Sequence, residues 1–212
     1  FQVGLPAALE QIIFQIGITA FLILVAYYGT EAYAAYGIGV QILSFSFVIG
    51  FGFSIAGATL VGQHLGAKNT AQAKRAGWGA MRLSIISMTF FGIIITVFAE
   101  SLARFMIDND EVVRLTVIFI WLLGSMQPLM AIEFSLGGAL RGAGDTKTPL
   151  AITLTCLLFI RVFLAVIFFL LDARIEVIFS TLVADYVVKG YLYVARFRSD
   201  KWMNALKSKE AV

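Results

Sequence analysis

Residues 32–62 read AYAAYGIGVQILSFSFVIGFGFSIAGATLVG, a stretch without one Asp, Glu, Lys or Arg. About 20 apolar residues in helix cross a bilayer core of ~30 Å. A membrane β-strand needs only 9–11 residues and alternates in polarity. This stretch is longer and does not alternate, so it reads as a transmembrane helix. Working outward, five more apolar runs follow the same rule: 6–28, 76–99, 112–140, 149–171 and 175–195. The predicted fold is all-α, a polytopic transmembrane bundle of six helices over residues 1–198. A basic tail is expected at 199–212.

Composition agrees. The chain has 212 residues, 60% hydrophobic and 14% charged, with a mean hydropathy of +0.90. Soluble domains carry about 25% charged residues. A soluble enzyme, a disulfide scaffold, a disordered tail and a nucleic-acid-binding domain are all excluded on this ground. The lone Cys156 has no partner for an internal disulfide and matches no metal-ligand spacing. The net charge of +3 is a matter of topology. Twelve of the sixteen Lys and Arg fall in or beside the loops joining spans two to three and four to five, or at the C-terminal end, Lys189 counted with the latter. The opposite face has Arg104, Arg114 and Arg174, and gathers Glu31, Glu100, Asp108, Asp110, Glu111, Asp172 and Glu176. The positive-inside rule then places both ends of the segment in the cytoplasm, as in a bacterial inner-membrane protein. The chain begins at Phe1 with no basic n-region or small-residue cleavage site, a start that reads as cut rather than processed.

Punctuation refines the spans. Gly29-Thr30 makes a tight turn, so the first two helices form a hairpin. Pro128 falls mid-helix in the fourth span and should kink it. The second span is too long for a straight crossing and is expected to bend at Gly50 and Gly52 or to run on into the cytoplasm. Thr148 before Pro149 reads as an N-cap. Residues 100–111 read as an interfacial helix on the outer face. Gly62 with Gly66, and Gly138 with Gly142, have the spacing of close helix contacts.

Charge inside a membrane is costly and marks a pathway or a pair. Glu10, with Gln11, Phe14 and Gln15 around it, lies near the cytoplasmic entrance of the first helix. It reads either as a cavity-lining acid or as the partner of a loop base. Glu133 lies deeper, after Met126, Gln127 and Pro128, and reads as a cation or proton site or as half of an ion pair. Arg161 needs a partner, for which Glu10 and Glu133 are the expected acids. Asp185 has Lys189 one helical turn later. Gln41 and Gln127 can bond within the bundle or to a ligand. The loop Arg141-Gly142-Ala143-Gly144-Asp145-Thr146-Lys147 is not a phosphate loop, because no Gly directly precedes the Lys and no strand precedes the loop. It reads as a tight hinge in which Gly142 and Gly144 take unusual backbone angles and Asp145 pairs with Lys147, Arg141 or a neighbouring loop. His64 reads as a solvated interfacial residue. No arrangement of residues fits a catalytic triad or a zinc site, so neither an enzyme nor a cofactor is expected.

Several segments, taken in order, resemble multidrug and toxic compound extrusion (MATE) transporters. They are Gly4-Leu5-Pro6-Ala7-Ala8, Gly29-Thr30 with Ala34-Ala35-Tyr36-Gly37-Ile38, Leu60-Val61-Gly62-Gln63 with Leu65-Gly66-Ala67, and above all Gly137-Gly138-Ala139-Leu140-Arg141-Gly142-Ala143-Gly144-Asp145-Thr146. Arg196-Phe197-Arg198 with Trp202 looks like the family's C-terminal end. The resemblance implies two six-helix lobes, of which this chain is similar to the C-terminal one. The other lobe, the lipid bilayer and organic cations would then be its partners, with Na⁺ or H⁺ as the coupling ion. Where many members carry a Glu eight residues after the first-helix Pro, this chain has Phe14, with Glu10 one turn earlier, so the family's cation-site role does not carry over by position. Two other functions are weighed. A related lipid-linked oligosaccharide flippase should show several cavity-facing Arg or Lys, and a self-sufficient six-helix module would act as a homodimer or a structural subunit.

Overall fold

The computed structural model describes residues 4–204. Helix α1 (Gly4–Ala26) ends in a turn at Tyr27 and Tyr28, and Gly29 reverses the chain at φ +107° into α2 (Thr30–Gly66). Helix α2 is a single run of 37 residues, about 55 Å long, with no break at Gly50 or Gly52. The run continues past the apolar stretch as far as Gly66. Asn69 then caps α3 (Thr70–Val97), its Oδ1 accepting from the Gln72 N–H at 3.0 Å. The short helix α4 (Ala99–Met106) buries Ala99 and Ala103. Asn109 caps α5 (Asp110–Ser125) by accepting from the N–H groups of Glu111 and Val112.

Helices α5 and α6 (Gln127–Gly142) form one bent unit with an angle of 54° at Met126. The bend is where Pro128 predicts it, but the proline is not in a helix interior. It occupies the first turn of α6, where its missing N–H has no intrahelical partner to lose. The next unit is α7 (Lys147–Thr155), a π-helical segment (Cys156–Val162) and α8 (Phe163–Leu170), followed by α9 (Ile175–Arg198) and a 3₁₀ turn at Lys201–Asn204. Among the described residues, five helical units are long and apolar enough to cross a membrane, and six if the bent pair is one span. Large apolar residues such as Phe45, Val48, Ile55 and Phe90 point outward, where lipid rather than water is their natural solvent. The chain is a multi-pass membrane protein.

Small residues set the tightest crossing. Ser54, Gly57, Ala58 and Gly62 of α2 lie against Ser135, Gly138, Ala139 and Gly142 of α6. A Cβ at Gly138 would meet the backbone of Ser54, and one at Gly142 the backbone of Ala58. Gly142 is therefore needed for close approach rather than for an unusual φ, and it is helical. Gly66 has nothing within 4 Å of a would-be Cβ and takes no part in such a contact. Gly144 does adopt φ +81°, and the bonds Gly144 N–H to Arg141 O and Asp145 N–H to Leu140 O make a Schellman end to α6.

Aromatic rings join the helices at two levels. Phe21, Tyr36, Phe119 and Phe179 form a chain of contacts with ring centroids 5.1–5.8 Å apart. At the other end Trp78 meets Phe197 edge-on, and Trp202 stacks on Phe197 at 4.6 Å. Trp202 is buried and donates its indole N–H to the Phe197 carbonyl. The first residues of the expected tail are thus packed onto the bundle, because an aromatic ring there gains more from the core than from water. Residues 205–212 lie outside the described part. On the acid-rich face, Arg104 bonds Glu100 and Asp110, Arg114 bonds Glu111 and Glu176, and Arg174 bonds Glu176. The bonds to Glu100 and Asp110 hold the Arg104 guanidinium pKa above its ordinary value.

Candidate functional site: a buried charge cluster

Four charged side chains from three elements meet inside the bundle. Lys189 Nζ on α9 lies 3.1 Å from Asp185 Oδ2 on the same helix and 3.5 Å from Glu133 Oε1 on α6. Arg161 Nη1, in the π-helical segment, is 4.0 Å from the same Asp185 oxygen. Asp185 and Lys189 are sealed from solvent, and Arg161 nearly so. Helical spacing explains half of this, since residues four apart share a face. The π segment explains the rest. An i→i+5 turn shifts the face by one residue, and such turns recur at functional positions. Arg161 also stands 5.0 Å above the Phe21 ring, and Lys189 5.4 Å from the Tyr186 ring.

The cluster is balanced in charge and incomplete in hydrogen bonding. Two carboxylates face two cations, yet neither Asp185 oxygen, nor Lys189 Nζ, nor Arg161 Nε has an aligned hydrogen-bond partner. The contacts are ion pairs by distance only. Buried polar groups normally find partners, so four such atoms in one place stand out.

A second set lies toward the basic end. Arg141 Nη1 bonds Glu10 Oε1 at 2.9 Å, and its Nη2 bonds the Ser54 hydroxyl at 3.2 Å. The Thr153 hydroxyl also reaches Glu10, at 3.4 Å. Helices α1, α2, α6 and α7 meet in this knot. Of the two readings of Glu10, the geometry favours the paired one. Beside it Arg196 grips Asp145 Oδ2 through Nε and Nη2 at 2.9 and 2.7 Å, and the Thr148 hydroxyl bonds both Asp145 oxygens. Thr148 is therefore inside the first turn of α7 and not its N-cap. The partner of Asp145 is a distant arginine on α9 rather than Lys147 or Arg141.

Other sequence expectations change as well. Arg161 pairs with Asp185, not with Glu10 or Glu133, because the π turn aims it at α9. Lys189 is no part of a solvated basic end; it is buried in the cluster. Gln127 is fully buried at the α5–α6 bend, packed against Gly92, and both its amide atoms lack partners. Gln11 and Gln41 are exposed and Phe14 is half-buried, so this chain alone does not enclose them with Glu133. Sequence reasoning found the Asp185–Lys189 pair but missed the contact of Lys189 with Glu133, and missed Ser54, Thr153 and Arg196 as site residues. The signal for Lys189 was present, since it lies within an apolar run. Nothing in the sequence singled out Ser54 or Thr153, and Arg196 stood out only within the segment that resembles the family's C-terminal end.

Comparison with known proteins adds the family. Residues 6–167 match the MatE family model. The chain is 34% identical over 210 residues to the "Probable multidrug resistance protein NorM" of Thermotoga maritima, covering 95% of this chain and 44% of that protein. It is 31% identical over 157 residues to a protein of the same description from Mannheimia succiniciproducens, covering 74% of this chain and 34% of that one. The chain thus spans less than half the length of these relatives. Among solved structures, the MATE transporter ClbM in complex with Rb⁺ shares the fold with a TM-score of 0.87 at 21% identity, over 99% of this chain and 48% of that one. The all-α membrane bundle, its Arg-Gly loop and the match over most of its length lead to one conclusion: this chain belongs to the MatE family of multidrug and toxic compound extrusion transporters.

Proposed function

We propose that the chain forms the C-terminal lobe of a secondary antiporter that exports organic cations, drugs among them, in exchange for Na⁺ or H⁺. A second six-helix lobe would supply the facing wall, with both ends of this segment in the cytoplasm of a bacterial cell. The observation that carries the reading is the shared ammonium: one lysine, Lys189, serves Glu133 and Asp185 at once. A carboxylate in a low-dielectric site needs a counter-charge. An arriving cation at Glu133 can supply it, and Lys189 then moves fully to Asp185. Occupation by Na⁺, by a proton or by an organic cation is mutually exclusive at one carboxylate, and this competition is the basis of exchange. Because Glu133 is on α6 and Lys189 on α9, each exchange makes or breaks a contact between two helices. Differential contacts of this kind let a ligand shift a conformational equilibrium.

The balanced cluster also speaks against the flippase reading. Arg161 and Lys189 are each matched by an acid and leave no net positive charge for a pyrophosphate. The test is efflux of a fluorescent cation by the intact transporter in proteoliposomes under imposed Na⁺ and pH gradients. The Glu133→Gln variant is expected to lose gradient-driven efflux. Unchanged coupled efflux would remove Glu133 from the mechanism.

A further inference from the structure

A different part of the molecule suggests a lipid site. Ala71, Lys74, Arg75, Trp78, Gly79 and Arg82 line a groove of about 500 Å³ at the start of α3. Their spacing puts them on one helical stripe. Gly79 has nothing within 4 Å of a would-be Cβ, so the middle of the stripe is open. Trp78 is fixed edge-on against Phe197, and Lys74 is tied to Asp200 at 2.7 Å. Arg75 and Arg82 are exposed, and among the described residues neither has a carboxylate partner. Further along the same helix Ile86, Phe90 and Ile93 are all more than half exposed. From Arg82 to Ile93 is about 16 Å along the helix, the depth of one leaflet of a ~30 Å core.

We propose that this stripe binds one anionic phospholipid of the phosphatidylglycerol type. Its phosphate sits between Arg75 and Arg82 beside Trp78, and an acyl chain lies along Ile86, Phe90 and Ile93. Arginine presents a planar fork that matches phosphate oxygens. Tryptophan favours the headgroup level of a membrane. Basic pockets at helix ends are the usual recognition surface for anionic headgroups. The apolar track beneath the charges selects a lipid over a free phosphate.

Native mass spectrometry of the protein, extracted from vesicles of equal phosphatidylglycerol and phosphatidylcholine, tests this. The protein should retain phosphatidylglycerol in preference, and 10 mM inorganic phosphate (about tenfold over the lipid) should not displace it. Arg75→Gln with Arg82→Gln should weaken retention roughly 30-fold. Removing the same charge elsewhere, at the exposed Lys147 and Arg174 by Lys147→Gln with Arg174→Gln, should leave retention as it was. Both arginines are exposed, so an unchanged melting temperature will show that the double variant folds. Equal retention of the two lipids, displacement by phosphate, undiminished retention in the Arg75/Arg82 variant, or an equal loss in the Lys147/Arg174 variant would each overturn the proposal.

Discussion

Replacing Lys189 by Met removes the one ammonium that the buried Asp185 and the largely covered Glu133 share. At 3.1 and 3.5 Å, each contact has a raw attraction of about 5 kcal/mol at an effective dielectric constant of 20. Desolvation of the three groups offsets much of that. What counts is the state left behind, in which Asp185 keeps only Arg161 at 4.0 Å and Glu133 keeps none of the cluster's cations. Breaking a buried pair in this way costs about 3–5 kcal/mol. The expected fall in thermal midpoint is on the order of 10 °C for a unit of this size. Removing the orphaned acid as well restores the balance, with Asp185 facing Arg161 alone. Glu133→Gln combined with Lys189→Met should therefore be more stable than Lys189→Met by itself, although it carries one more substitution. Melting of the purified protein in detergent, followed by intrinsic fluorescence, completes the double-mutant cycle. If Lys189→Met melts like the parent, or if the two losses simply add, Lys189 is not the shared counter-charge.

The close α2–α6 crossing predicts that Gly138→Ala, whose methyl group would meet the Ser54 backbone, destabilises by about 1–3 kcal/mol. Gly37→Ala, with open space around it, should be neutral or gain up to about 1 kcal/mol from helix propensity; thermal melting compares the two. Lys68 ends α2 at φ 59° in the position where Schellman turns favour glycine. Lys68→Gly should relieve about 1 kcal/mol of strain and raise the melting temperature by a few degrees.

The sequence alone determined the spans and the family. Apolar length is a one-dimensional property, and a membrane enforces it because backbone groups in lipid must bond within their own helix. The Gly29 turn, the Pro128 bend and the Gly144 turn were likewise legible, since each depends on the local chemistry of one residue. Apart from the Asp185–Lys189 pair, which i,i+4 spacing shows, the choice of partners for the charges was not. Arg161 finds Asp185 only because a π-helical turn rotates it toward α9. The i,i+4 spacing showed Lys189 beside Asp185, but its burial and its contact with Glu133 came only with packing. Arg141 and Glu10 are 131 positions apart, and Asp145 and Arg196 are 51 apart; no local pattern links such pairs. Gly142 looked like a loop residue with an unusual backbone, yet it is helical and is needed for the approach of α2. Tertiary structure decided these matters because ion pairing and close packing depend on which faces of separate helices are brought together, and a helix's own sequence shows its faces but not its neighbours.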